Sequence, residues 1–225
     1  MPNDYAVIFD VDGVLTDSYA PHFESWQRMF GEIGVEFTDE QFRATFGRTN
    51  RDIFAELYPG QMDEEQSRRL GERKEELYRE IVRKSFVPLP GAVELIDALH
   101  AAGFKLAVGS SGPPPNVALT LEKLGRASRF SAAVTGADVQ RGKPDPQVFQ
   151  LAASRLSVPV ERCAVIEDAP PGVEAANRAG MTSIAVLGTT TRENLAHAKL
   201  VVDSLKELTP DRIAALIDTA RAHSA

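Results

Sequence analysis

Short apolar runs alternate with stretches of helical period along most of this chain, and that alternation admits few folds. Ala6-Val7-Ile8-Phe9 reads as a strand buried on both faces. Leu106-Ala107-Val108, Ala132-Ala133-Val134, Cys163 to Ile166, Ile184-Ala185-Val186 and Leu200-Val201-Val202 read the same way. Between them apolar residues recur at helical spacing, as in Ala92, Leu95, Ile96 and Leu99, with Gly103 as the stop, and in Phe149, Ala152, Ala153 and Leu156. Strand-helix alternation implies a parallel sheet covered by helices on both faces. Ligands of such sheets sit at the carboxyl ends of the strands.

Residues 18–87 break the rhythm. They carry helical patterns without a convincing strand, and Thr38 with Gln41 and Asp63 with Gln66 form capping-box pairs. Pro88 and Pro90 mark the return of the alternation. The expected organisation is an α/β core of residues 1–17 and 88–225 with a helical insert of residues 18–87. Because the insert leaves where the first strand ends, it is positioned to cover a site there.

Charge and composition narrow the function. The 225 residues carry a net charge of -7, with 43% apolar and 25% charged residues, ordinary for a soluble globular protein. No block of Lys and Arg offers a nucleic-acid face. Arg68, Arg69, Arg73 and Lys74 alternate with Glu72, Glu75 and Glu76, which reads as a solvated helix face. The single cysteine, Cys163, reads as a buried strand thiol. Asp4, Asp10 and Asp12 interrupt the first apolar stretch, and no run approaches the ~20 residues of a membrane helix. The expectation is a cytoplasmic monomer with no nucleic-acid or membrane partner.

Four sequence constellations carry chemistry. Asp10-Val11-Asp12-Gly13 puts two carboxylates on one side of a strand end, suited to a cation or to divided acid and base roles. Asp-x-Asp alone also occurs in turns and in metal sites of sugar transferases. Gly109-Ser110-Ser111-Gly112 follows a second strand and precedes a helix from about Asn116. Its hydroxyls and N–H groups can meet an anion, and Pro113, Pro114 and Pro115 add no donor. Pro144 restrains the backbone of Lys143, although Arg141 serves equally well on charge alone. Glu167-Asp168 adds two acids before the helix holding Val173 and Ala176. In a parallel sheet these strand ends share one edge, so the set points to one site.

Asp10-x-Asp12-Gly13, Ser110, Lys143-Pro144 and Glu167-Asp168 together resemble the four signatures of the haloacid dehalogenase superfamily of phosphatases and phosphomutases. The match spans nearly the whole chain, in the branch with a small helical cap after the first strand. The resemblance implies a Rossmann-like core, an all-helical cap domain and a phosphorylated metabolite as substrate. It implies Asp10 as nucleophile and Asp12 as acid and base. Magnesium (Mg2+) would be held by the carboxylates of Asp10 and Asp168 and the backbone carbonyl of Asp12, with Glu167 ordering its waters. Ser110, Ser111 and Lys143 would bind the phosphoryl oxygens. A dehalogenase of this superfamily would lack Asp12.

In the cap, His22, Trp26 and Lys74 align with positions of the mutase branch, and Arg48, Thr49 and Asn50 stand in the loop that begins at Gly47. His22 is read equally as a cap contact or a polar helix residue, and Trp26 as a core anchor. His100, His197 and His223 read as surface residues. Where the mutase carries an arginine for a second phosphate, this chain has Asn50. The reading is therefore a hydrolase of small phosphomonoesters, with a phosphohexomutase as the alternative.

Overall fold

The computed structural model describes residues 4–45 and 48–222; Gly47 and His223 lie outside the described residues. The chain runs through β1 (Ala6–Phe9), α1 (Tyr19–Glu32), α2 (Asp39–Thr45), α3 (Asn50–Leu57) and α4 (Glu64–Lys84). It continues through α5 (Ala92–Ala101), β2 (Lys105–Gly109), α6 (Pro114–Leu124), β3 (Ala132–Val134) and α7 (Gln147–Leu156). The last elements are β4 (Cys163–Glu167), α8 (Pro170–Arg178), β5 (Thr182–Val186), β6 (Leu200–Val202) and α9 (Pro210–Ala222). Two compact units result, residues 1–17 with 88–225, and residues 18–87.

In the first unit the described strands form one parallel sheet in the order β3-β2-β1-β4-β5-β6. This is the Rossmann-like α/β arrangement expected from the alternation. The strand order reverses between β1 and β4, the switch point at which ligands of such sheets bind. Register delivers the chemistry there: Phe9 lies beside Val108 on one side and Ile166 on the other. The next residues, Asp10, Gly109 and Glu167, therefore emerge at one level.

The pleat decides which face each strand residue covers. Ala6 and Ile8 join Ala107, Val134, Cys163 and Val165 against Phe149, Ala152, Ala153 and Leu156 of α7 and Ala175 and Ala176 of α8. Each such fully buried aliphatic or aromatic side chain contributes roughly 1.5–3 kcal/mol. The Cys163 thiol is buried in this cluster and its pKa is pushed up to about 12, first by burial, so it is inert at neutral pH.

The edges depart from expectation. The first two residues of β3 and of β6 are only half-buried, because an edge strand has a neighbour on one side alone. The helix after β2 starts at Pro114, earlier than its apolar pattern, and α8 starts at Pro170. Proline suits a helix's first turn, where the missing N–H would have no partner.

Among the described residues of the second unit the regular elements are the helices α1 to α4, joined by turns and loops. Both capping pairs form: Thr38 and Gln41 exchange bonds of 2.9 and 3.2 Å, and Asp63 with Gln66 opens α4. Trp26 is 1% exposed and packs with Phe30, Phe37 and Phe54, their ring centroids 5.2–5.6 Å from its own. The acidic and basic face of α4 is solvated in part, with Arg68 bridging Glu65 and Glu72 and Arg73 bridging Glu32 and Glu76. Lys74 and Glu75 contradict that reading, since both are buried. Their place on the helix turns them inward: Lys74 meets His22 and the Trp26 ring of α1 and the Tyr78 ring of its own helix, and Glu75 meets Asn50 of α3.

Trp26→Ala should destabilise the protein by about 3–5 kcal/mol, the usual cost of emptying an aromatic core position. Urea unfolding followed by circular dichroism measures it. A loss within error of zero would contradict the assigned core.

Candidate active site

Asp10 leaves the central strand almost wholly buried, its N–H still bonded to the Ile166 carbonyl at 3.0 Å. Beyond it the chain folds into a tight turn, in which Leu15 N–H reaches Val11 O (2.9 Å) and Gly13 N–H reaches Thr16 O (3.0 Å). Gly13 adopts φ +74°, and any side chain there would overlap the Asp168 carboxylate. The turn thus lets β1 and β4 bring their acids together. Asp12 is half-buried. Its Oδ2 lies 4.0 Å from where a Cβ on Gly112 would stand, so the Asp12 carboxylate faces the loop after β2.

Glu167 and Asp168 end β4, each 2% exposed. Glu167 Oε2 accepts from the N–H groups of Asp168 (2.8 Å) and Ala169 (2.9 Å). Gly172, in the first turn of α8, leaves the space that the Glu167 carboxylate fills. Asp168 Oδ2 accepts from the Thr189 hydroxyl at 2.6 Å.

Lys143 arrives from the loop after β3 and closes the set. Its ammonium donates to Asp10 Oδ1 at 2.6 Å and to Glu167 Oε1 at 2.7 Å, and sits 4.9 Å from the Phe149 ring centroid. The loop is held from below. Gln147 Oε1 accepts from the N–H groups of Gln140 (2.9 Å) and Arg141 (3.2 Å), and Asp138 is bonded to Arg155 at 2.6 Å. Arg141, equal to Lys143 on charge alone, points outward and pairs with Asp145 at 2.7 Å.

The serine loop differs in part from expectation. Ser110 is buried, but its N–H bonds Val134 O at 3.0 Å, and the Gly112 N–H bonds Ser110 Oγ at 3.0 Å. Two backbone N–H groups of the stretch are therefore already used, one by β3 and one within the loop. What the loop offers an anion is the Ser110 hydroxyl hydrogen and groups of the half-buried Ser111.

Three buried carboxylates beside one ammonium carry excess negative charge. Burial pushes Asp10 up to about 7; Lys143 opposes this, while Glu167 and Asp12 add to it. Burial, then the charges of Glu167 and Asp10, raise Asp168 well above the carboxylate range. Burial would lower the Lys143 pKa, but Asp10 and Glu167 outweigh it and hold the ammonium charged. One oxygen from each of Asp10, Glu167 and Asp168 falls within a cluster 4.8 Å across. Hard carboxylate oxygens without a nitrogen or sulfur donor suit magnesium or calcium rather than zinc or copper. Magnesium therefore fits this donor set, to which the family resemblance would add the Asp12 carbonyl.

In the helical unit the remaining candidates part company. His22, Lys74, Glu75 and Asn50 form one chain: Lys74 Nζ donates to His22 Nδ1 (2.9 Å) and Glu75 Oε1 (2.9 Å), and Asn50 Nδ2 donates to the same Glu75 oxygen (2.7 Å). His22 stacks on Tyr78, with centroids 3.9 Å apart. Burial would raise the Glu75 pKa, but the Lys74 ammonium and the Asn50 amide help to hold it low. Thr49 instead caps α3, accepting from Asp52 N–H at 3.2 Å, and Arg48 is ion-paired with Glu56. His100 and His197 lie on the surface beside Arg129 and the Pro170 carbonyl.

Comparisons with known proteins agree with this geometry. Residues 6–180 match the family of haloacid dehalogenase-like hydrolases. The validoxylamine A 7'-phosphate phosphatase of Streptomyces hygroscopicus subsp. limoneus is 32% identical over 89% of this chain and 94% of its own. The phosphorylated carbohydrates phosphatase of Thermotoga maritima is 32% identical over 80% of this chain and 83% of its own. The crystal structure of beta-phosphoglucomutase from Clostridium difficile superposes with a TM-score of 0.87 at 28% identity, covering 97% of this chain and 99% of that one.

The carboxylate cluster makes stability depend on pH. Asp10 and Asp168 bind their protons more tightly folded than unfolded. Their contribution is complete below about pH 4 and is lost as pH rises, for Asp10 through about 7. Asp138, held at about 2 first by its bond to Arg155, runs the other way: its contribution is complete above about pH 4 and is lost only as pH falls toward 2. In chelator the melting temperature should fall between about pH 5 and about pH 8. Excess magnesium should raise it more at the alkaline end, where the ligands are ionised. An equal rise at both ends, or none, would contradict the cluster's assignment.

Proposed function

The chain belongs to the haloacid dehalogenase-like hydrolase family, as an enzyme of its phosphatase and phosphomutase class, and from that premise we propose that it hydrolyses small phosphomonoesters of the sugar-phosphate kind. The observation that carries the reading is Asp10, buried at the sheet edge with its Oδ1 on the Lys143 ammonium and Asp12 two residues beyond. In this reading residues 1–17 and 88–225 are the catalytic core and residues 18–87 the substrate-selecting cap. In this reading, too, the protein acts as a cytoplasmic monomer on dissolved metabolites.

The Asp10 carboxylate attacks phosphorus, the bond to the ester oxygen breaks, and Asp12 gives that oxygen its proton. Asp12, now a base, takes a proton from water, which attacks the aspartyl phosphate. The bond between Asp10 and phosphorus breaks, and inorganic phosphate leaves. Lys143 has three donors; two bind Asp10 and Glu167, and the third is directed to a phosphoryl oxygen together with the Ser110 hydroxyl. Asp10, Asp168 and the Asp12 carbonyl would hold magnesium, with Glu167 ordering its waters, and the ion would supply positive charge to offset that of the phosphoryl oxygens. Lys143 and Ser110 add to that stabilisation from fixed positions. Uncatalysed monoester hydrolysis is slow enough to demand accelerations of up to ~10²¹, so dividing it over a covalent intermediate is useful.

Hydrolysis is preferred to mutase chemistry on the state of the cap arginines. A mutase must hold a second phosphate. Asn50 is committed to Glu75, Arg48 is paired with Glu56, and Arg51 lies beside Asp52 on the surface.

Asp10→Asn should abolish turnover of every ester in a phosphosugar panel while circular dichroism stays unchanged. Asp12→Asn should lower kcat about 10²–10⁴-fold, the usual worth of a positioned acid and base. Undiminished activity of Asp10→Asn, or full wild-type activity in excess chelator, would refute the mechanism. Beta-glucose 1-phosphate with a trace of the bisphosphate should give free phosphate; conversion to glucose 6-phosphate without it would select the mutase.

A further inference from the structure

Thr189 stands in the loop Gly188-Thr189-Thr190-Thr191 that follows β5, two strands from Asp10 across the sheet. Its hydroxyl is 2.6 Å from Asp168 Oδ2 and 3.0 Å from the Asp168 carbonyl. A hydroxyl has one hydrogen, and the shorter contact, to the side-chain oxygen, has the length of a strong O–H···O bond. The same Oδ2 is hemmed in by Gly13, where an added Cβ would overlap it and would lie 3.1 Å from Thr189 Cγ2. Asp168 Oδ2 is thus held on one side by a hydroxyl and on another by the turn after β1. Both constraints fall on the same oxygen of the carboxylate.

That asymmetry bears on which cation the site takes. Calcium accepts carboxylates through both oxygens in loose shells of six to eight ligands, whereas magnesium demands a near-ideal octahedron of single oxygens. A carboxylate with one oxygen tied to its own protein is a poor two-oxygen ligand and a good one-oxygen ligand. We propose that Thr189 is a positioning residue that makes Asp168 a one-oxygen ligand and so sets the preference of the site for magnesium over calcium. The inference rests on the metal-dependent reading above, since it assigns a neighbour to one of the ligands named there.

The test is direct binding, by calorimetry, of magnesium and of calcium to the full chain and to T189V and T189S. Partners of this kind are typically worth ~10–100-fold in metal affinity. T189V should lose about tenfold or more in magnesium affinity while calcium affinity changes less, so the ratio of the two narrows. T189S keeps the hydroxyl and should bind both ions as the wild type does. Should T189V not fold, T189A supplies the same comparison. An unchanged ratio in the folded hydroxyl-free variant would overturn the proposal. So would T189S behaving like T189V, because the methyl group rather than the hydroxyl would then be responsible. A wild-type chain that binds no magnesium would overturn the metal-dependent function as well, and so separates the two failures.

Discussion

The Lys143 ammonium lies between two buried carboxylates, 2.6 Å from Asp10 and 2.7 Å from Glu167, and the site is organised around that bridge. Taking such charges out of water costs several kcal/mol each unless partners replace the lost hydration. Lys143 supplies one positive charge, and the N–H groups of Asp168 and Ala169 satisfy the second oxygen of Glu167. The balance stays negative, which is why burial and neighbouring charge raise Asp10 and Asp168. A site in that condition suits a divalent cation, and in the proposed reading that cation would in turn favour the anionic phosphoryl group. Two glycines make the crowding possible, since a side chain at Gly13 would occupy the space of Asp168 and one at Gly172 that of Glu167.

Parallel register turns this local chemistry into a consequence of the fold. Phe9 sits beside Ile166 across one strand boundary and beside Val108 across the other, so the residues that follow each strand arrive at one edge. That much was legible in the sequence, because a strand buried on both faces must be apolar throughout, and a sudden Asp, Ser or Glu after one marks its end. Asp10, Asp12, Ser110, Glu167 and Asp168 could be picked out for the same reason, whereas Lys143, further along its loop, was singled out by the family resemblance.

What escaped the sequence depended on direction or on distance along the chain. Lys74 sits among Arg and Glu residues that are solvated, and only the geometry of α4 turns it toward Trp26 and His22. Thr189 resembles its two threonine neighbours, and the contact with Asp168 spans 21 residues of sequence. Its position just after β5 was the available clue, since that is another strand end on the active edge. Gln147 reads as the start of a helix, yet its side chain holds the lysine loop through Gln140 and Arg141. The choice between Lys143 and Arg141 was undecided on charge, and the outward ion pair of Arg141 with Asp145 decides it.

The central claim is that Asp10 becomes phosphorylated during turnover. Acid quenching of the enzyme during hydrolysis of a phosphosugar, then borohydride reduction and peptide mass spectrometry, tests it directly. Reduction converts an aspartyl phosphate to homoserine, so the account predicts homoserine at position 10 in the quenched wild-type sample and aspartate there in the substrate-free control. Turnover that leaves Asp10 unreduced, with homoserine at another aspartate, would contradict it.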